Sequence, residues 1–506
     1  MPSKTSTPAD SVIQLPTQPA VVEKGKAAAK GKIAAPIPHP SVTERRELGR
    51  LASLRTTHEA HAEFTPAADR DPIGLLESQA GARVPELVPI RYGRMMLSPF
   101  AFYRGAALVM AHDLAGTPTS GLQVQLCGDA HLSNFGIFGS PERRLVFDIN
   151  DFDETCPGPW EWDLKRLLAS FAIGAREIGI PGKKRRDIVR TVSARYRTAM
   201  AEFAGMRDLD VWYAHADVAN IYDNFAQQLR AANRKKVDKT ITKAMTRDSM
   251  QALTKLTKVV DGERRIISSP PLISGLEDLF AGEDGDQLRH DRDQLRHWMH
   301  ELIRSYRRTL NTDRRHLLQQ YRFVDIARKV VGVGSVGTRC WIILLLGRDD
   351  DDPLFLQAKE AGPSVLTAVG CKSEFGNQGQ RVVAGQRLMQ ATSDIFLGWQ
   401  RTPGLMDGIE RDFYIRQLRD WKGSVELEGA DATGMRAYGE LCAWTLARGH
   451  ARSGDRIAIS SYLGDSLAFD DAMVAFAEAY ADQNERDHAA LVDAVKSGRL
   501  VAQQGL

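Results

Sequence analysis

The run LCGDAHLSNFGIFGSPERRLVFDINDFDET, residues 126–155, sets an acid, Asp129, five residues ahead of an amide, Asn134, on a loop punctuated by Gly128 and Gly136. A short apolar strand follows (Leu145, Val146, Phe147), and beyond it stand Asp148, Asp151, Asp153 and Glu154. This set suits magnesium and phosphate chemistry. Mg2+ takes hard oxygen ligands, keeps several waters, and is usually held by one or two carboxylates together with substrate phosphates. Phosphoryl transfer uses one Asp to orient the nucleophile and an Asn and an Asp on the metal. Most Asp and Asn in glycine-rich loops merely form Asx turns. Here the spacing, the strand behind it and a carboxylate cluster that would repel itself without a cation assign a functional role to Asp129, Asn134 and Asp151. Alternation along a strand puts Asp153 on the face of Asp151 and Asp148 on the other. The expected metal ligands are therefore Asn134, Asp151 and Asp153. His131 is expected to satisfy the loop backbone.

A second run, VVGVGSVGTRCWIILLLGRDDDDPLFLQAKEA at 330–361, lies roughly 200 residues further on and reads as strand, glycine turn, strand, acidic hairpin tip, strand. Gly332, Gly334 and Gly337 form G-x-G-x-x-G, with Ser335 inside the loop. Glycines let a backbone approach phosphates and point its N–H groups at them. A dinucleotide-binding loop of this pattern opens a helix, whereas β-rich CWIILLL follows here. Lys359 ends the next apolar strand, where kinases keep their phosphate-pairing lysine. The expected nucleotide-binding residues are Gly332, Gly334, Ser335, Gly337 and Lys359. Glu374, fifteen residues on, is the candidate partner of Lys359, because strand alternation turns Glu360 away.

The elements around these runs belong to a large globular chain. At 506 residues, 43% hydrophobic and 26% charged, it has ample core for two or more lobes. No apolar run approaches the roughly 18 residues that span a bilayer, and no apolar signal core opens the chain. The five cysteines have neither metal-type spacing nor a small-domain disulfide pattern, so a reducing cytoplasm is the expected setting. The net charge of +3 comes from the first 40 residues, where five lysines face Asp10 and Glu23. The balanced remainder calls for no nucleic-acid partner.

Residues 1–40, rich in Pro, Ala, Lys and Thr, read as a disordered tail. Residues 41–182 carry the acidic run and a helix at WEWDLKRLLASFAIGAREIGI, and 183–325 read as almost wholly helical. Residues 326–428 read as a β domain holding the glycine loop, a helix at 379–391 and strands at 394–399 and 412–418. Residues 429–506 read as helical again. His450 and Asp455 fall in a helix break there, with a structural or substrate-side role expected.

GDAHLSNFG, followed by FDINDFDE and WEWDL, resembles the catalytic core of aminoglycoside phosphotransferases and choline kinases. Those families read roughly H-G-D-x-x-x-x-N, a short strand, an I-D-F/W block and a D-L-A helix. The resemblance implies that Asp129 is the catalytic base, that Asn134 and Asp151 hold magnesium, and that Asp163 is a buried brace for the loop. Cys127 stands where those families have His. The order also differs, since kinases place the glycine loop and lysine before the catalytic loop. A circular permutation accounts for this, and is allowed where termini and junctions lie at the surface. The whole chain, including RMMLSPFAFYRGAA at 94–107, also resembles a widespread bacterial family of unknown function.

The expectation is thus an α+β, protein-kinase-like two-lobe fold, circularly permuted, with a large helical insertion. It would use ATP and Mg2+ to phosphorylate a hydroxyl acceptor, a small molecule rather than a protein. AMP transfer on the same fold and a nucleotide-binding scaffold are the alternatives. A metallophosphoesterase also uses G-D-x-H, but needs companion D-x-H or G-N-H blocks that this chain lacks. Acceptor identity and oligomeric state stay open.

Overall fold

Two short strands close the acidic run into a single excursion of the chain. β1 (Gln123–Leu126), β2 (Phe135–Gly139), β3 (Leu145–Ile149) and β4 (Cys156–Pro159) follow one another, with β1 antiparallel to β4 and β2 antiparallel to β3. The Leu126–Cys156 pair at the end of the β1–β4 ladder sets Cys127 and Gly128 beside Glu154 and Thr155. The computed structural model describes residues 39–219, 221, 231–279, 299–403, 408–418, 421–424 and 429–505. All of the expected tail except His39 and Pro40 lies outside the described residues.

Helix Trp160–Glu177 leads straight out of β4 and is buried along nearly its whole length. A helix apolar on every side belongs in a core, and Leu164, Leu167, Leu168, Phe171 and Ile173 meet that condition. Helices Gly182–Gly205, Ala432–Ser453 and Ala468–Lys496 pack around it. Its charged residues Glu161, Asp163, Lys165 and Arg166 are buried too. Burying a charge is costly unless it is paired, so each of them needs a partner; Asp163 and Arg166 find theirs at the acidic loop.

Between 183 and 325 the chain is not purely helical. β5 (Ala216–Asp217) pairs with β3, and β6 (Thr257–Val260) and β7 (Glu263–Ile266) form a hairpin. Asp261 and Gly262 both take positive φ at its tip, as a two-residue type I′ turn requires. The D-G pair is a sequence signal for this hairpin. The basic residues of TKVV-DG-ERRI mask the apolar alternation that would otherwise mark two strands.

β8 (Ile273–Gly275), β9 (Arg322–Lys329), β10 (Cys340–Leu346), β11 (Pro353–Ala361), β12 (Gly398–Thr402) and β13 (Arg411–Gln417) build a six-stranded sheet in the order β12-β13-β11-β10-β9-β8. A strand buried on both faces reads as a continuous apolar run, which explains the central place of β10. Its Ile342, Leu344 and Leu346 pack with Leu253 and Leu256 of helix Ser249–Leu256 on one side, and Ile343 and Leu345 with Tyr306, Leu310 and Phe396 on the other. The sheet thus begins at Ile273, ahead of the boundary at 326 read from sequence. Residues 394–397 form a turn held by Asp394, with β12 starting only at Gly398. Finally, β14 (Gly423–Ser424) pairs with β2. All strand pairings between the labelled elements are antiparallel, and the fold is α+β. Among the described residues no helix is long and apolar enough to cross a membrane.

Candidate functional site

The acidic loop is built on backbone bonds. Gly128 has φ +85°, and a Cβ there would lie 2.1 Å from the Glu154 carbonyl oxygen, so only glycine fits. Asp163, from the 160–177 helix, accepts the N–H groups of Cys127 (2.8 Å) and Gly128 (3.0 Å) through its two oxygens. His450 Nε2 lies 3.3 Å from the same carboxylate, and its Nδ1 is 2.8 Å from the Tyr196 hydroxyl. Position 127 thus contributes its backbone N–H to the brace. His450 is buried and structural. Asp455 caps helix Arg456–Leu463 and pairs with Arg45.

Asn134 Nδ2 donates to the Asp129 carbonyl at 2.7 Å, which closes the five-residue loop and leaves the Asn134 amide oxygen as the ligand-type atom. Arg166 Nε and Nη2 both donate to Asp129 Oδ1, at 2.9 and 2.8 Å. The other oxygen, Oδ2, has His131 Nε2 at 3.8 Å. Burial pushes the Asp129 carboxyl above its ordinary range, against the pull of Arg166. His131 Nδ1 accepts the Ser133 N–H, a backbone role.

Lys359 comes from the middle of the sheet, 4% exposed, on β11 between β10 and β13. Its ammonium contacts Asp153 directly and lies 3.7 Å from Asp151 Oδ1. Burial alone would lower its pKa, but the two carboxylates overcome this and hold it well above the lysine range. Asp151 is buried against ionisation too, yet Lys359, Arg416 and Lys422 keep its pKa low. For Asp153, burial and the neighbouring Asp151 prevail and raise it.

Several contacts fix this junction. Arg381, in helix Gln378–Met389, donates to the carbonyls of Thr155 (2.6 Å), Asp153 (2.8 Å) and Gly362 (2.9 Å). Arg416 donates to the Asn150 carbonyl at 3.0 Å. Glu154 accepts the Val365 N–H at 2.7 Å.

The other sequence candidates are distributed differently. Asp148 is buried away from Lys359, paired with Arg448 at 2.5 Å and accepting the Ala391 N–H. Glu374 is exposed, and the cation it was expected to meet is engaged by Asp151 and Asp153. Its spacing of fifteen residues carries it around the 365–369 turn and out to solvent. Glu360 points elsewhere, to Arg339 and Arg411. Of the glycine loop, Val336 is fully buried against Val84, Leu87 and Ile90, and Val84 N–H donates to the Gly337 carbonyl. Gly337 has φ +90°, and a Cβ on Gly334 would come within 3.2 Å of the Arg104 carbonyl oxygen. The loop carrying Gly332, Gly334, Ser335 and Gly337 therefore rests on the 83–105 segment and runs into Cys340, the partner of Lys359 in the β10–β11 ladder.

The cations Arg104, Arg166, Arg381, Arg416 and Lys422 are absent from the sequence reading. For Arg166 a signal existed, since it follows Asp163 by three positions and so shares its helix face. The others reach the site from separate elements and leave no linear trace.

A family model described as "Uncharacterized protein conserved in bacteria (DUF2252)" matches residues 83–494. The chain belongs to that family. No curated protein and no solved structure matches it. The DUF2252 span holds both motif runs, Lys359 and all the cations just named.

Among the described residues no three His, Cys, Asp or Glu side chains are grouped to hold a metal ion by themselves. Mg2+ needs fewer protein ligands when phosphates supply the rest. Asp151 and Asp153 meet at Lys359, and Asp153 Oδ1 is buried without a hydrogen-bond partner. That orphaned acceptor fits a cation arriving with a phosphate.

Glu154 supplies a pH test of this DUF2252 junction. Burial pushes its carboxyl up from its ordinary value to about 7. A raised folded pKa stabilises the fold fully below the unfolded pKa, and that contribution is lost as pH rises through the folded value. Wild type is expected to lose stability relative to Glu154→Gln between pH 5 and pH 7. Urea unfolding at both values measures it, and a constant difference would refute the assignment.

Proposed function

We propose that this protein is a magnesium- and ATP-dependent phosphotransferase of permuted kinase-like architecture, acting on a hydroxyl of a small-molecule acceptor. The observation that carries the reading is the meeting of Lys359 with Asp151 and Asp153. It joins two motif runs about 200 residues apart into one charged cluster. In this reading the β8–β13 sheet is the nucleotide-binding half, and the helical body with β1–β4 is the catalytic half.

Bound ATP·Mg supplies the phosphoryl group. Asn134, Asp151 and Asp153 offer the oxygen ligands for the metal, and Lys359 pairs with the phosphates. The backbone of 332–337 would help to hold them. Arg166 holds Asp129 Oδ1 so that Oδ2 faces the acceptor hydroxyl and takes its hydrogen bond. The partially desolvated carboxylate is a better proton acceptor than one in water. Positioning and charge neutralisation account for most of catalysis in this reaction class.

Calorimetric titration with ATP, with and without Mg2+, tests the proposal. The wild type is expected to bind ATP only with Mg2+, and Asp151→Ala to lose that dependence together with at least tenfold in affinity. Binding indifferent to both Mg2+ and Asp151 would sink the metal assignment. The mass of the modified acceptor distinguishes phosphoryl from AMP transfer.

A further inference from the structure

Arg104 stands at the end of helix Pro99–Gly105, which Ser98 caps through the Ala101 N–H. Its carbonyl faces Gly334 of the glycine loop, while its charge acts on Asp129, Asp151 and His131. Arg104 therefore lies at the seam where the glycine loop meets the acidic loop.

What sets this arginine apart is its lack of partners. Arg166 has Asp129 and the Tyr103 carbonyl, Arg381 has three carbonyls, and Arg416 has the Asn150 carbonyl. Arg104 Nε is buried with no hydrogen-bond partner among the described residues. The carboxylates nearest in charge are engaged elsewhere, Asp129 by Arg166 and Asp151 by Lys359. A buried guanidinium N–H with no acceptor is expensive to keep. Its planar fork matches phosphate oxygens, and such charge-assisted pairs are among the strongest polar contacts.

We infer that Arg104 is a phosphate-binding residue, its guanidinium completed by the terminal phosphate of a polyphosphate ligand held between the glycine loop and Asp129. The anion site follows from Arg104 itself; that the ligand is ATP rests on the proposed phosphotransferase reading. In that reading Arg104 neutralises charge on the oxygens of the transferred group.

The test is calorimetry of the full chain with ATP·Mg, ADP·Mg and inorganic tripolyphosphate, on wild type, Arg104→Ala and Arg104→Lys. Arg104→Ala is expected to weaken ATP·Mg by about 10–100-fold, the range of a lost charged hydrogen bond. ADP·Mg, which lacks the terminal phosphate, should change less than about threefold by the same argument. Arg104→Lys should recover only part of the loss, because a point charge lacks the fork. Ligand-free Arg104→Ala should melt no lower than wild type, since the removed Nε–H had no acceptor. Equal weakening of ATP and ADP, or a lower melting temperature with an unchanged ATP-to-ADP preference, would make Arg104 a packing residue and overturn the inference. Wild type that binds tripolyphosphate through Arg104 but binds no nucleotide would keep the anion site and sink the ATP reading. Wild type that binds none of the three would sink both.

Discussion

Replacing Asp129 by Asn is expected to reduce phosphoryl transfer on the order of 10²–10⁴-fold, the usual contribution of a positioned general base, with ATP·Mg affinity nearly unchanged. The substitution keeps the shape and the Asn134–Asp129 backbone bond, which uses the carbonyl rather than the side chain. It removes the negative charge that Arg166 holds in place, and an amide oxygen at Oδ1 can still accept from Nε and Nη2. What disappears is the proton-accepting Oδ2. Single-turnover kinetics with a responsive acceptor, alongside calorimetry, separate the two quantities. A fall in affinity as large as the fall in rate would mean that Asp129 shapes the site rather than acts on the acceptor. Full activity would remove it from the chemistry.

Lys359→Met is expected to abolish measurable ATP·Mg binding and to destabilise the ligand-free protein at neutral pH. Breaking a buried ion pair by removing one partner costs about 3–5 kcal/mol. The side chains of Asp151 and Asp153 are 32% and 27% exposed. Water therefore compensates part of that loss, and about 2 kcal/mol is a fair expectation after solvent screening. The loss should also depend on pH in a definite sense. With Lys359 gone, two adjacent carboxylates face each other, and protonating one relieves the repulsion. Asp153, already raised by burial and by Asp151 in the wild type, is the one to take the proton. The destabilisation is thus present at high pH and diminishes as pH falls through the raised carboxylate pKa. Urea unfolding of both proteins at pH 5 and pH 8 measures this, and an equal cost at both values would mean the lysine acts by packing alone.

Much of the site's local structure was legible in order along the chain. Asp129 and Asn134 lie on one loop and bond within it. The apolar run of 340–346 named its own strand, and Lys359 followed as the end of the next. The D-G pair at 261–262 is just as explicit a turn signal, but the strands it joins carry Arg and Lys in place of alternating apolar residues. Glu374 illustrates the opposite failure. Counting residues placed it near Lys359, while the turn at 365–369 carried the chain away and Asp151 and Asp153 filled the position.

By itself the sequence determined those features governed by neighbours a few residues apart. They are the glycine that alone tolerates the Gly128 conformation, the caps of the helices, the turn of the β6–β7 hairpin and the two-faced burial of β10. Only the tertiary structure decided which charges meet. Asp163 braces residues 127 and 128, Arg166 turns to Asp129, Asp148 is diverted to Arg448, and Lys359 crosses from the sheet to the acidic loop near Arg416. The physical reason is range. Steric and hydrogen-bonding rules act over one turn or one strand pair, so they are written in short windows of sequence. Electrostatic pairing depends instead on distances that exist only after separate elements have packed.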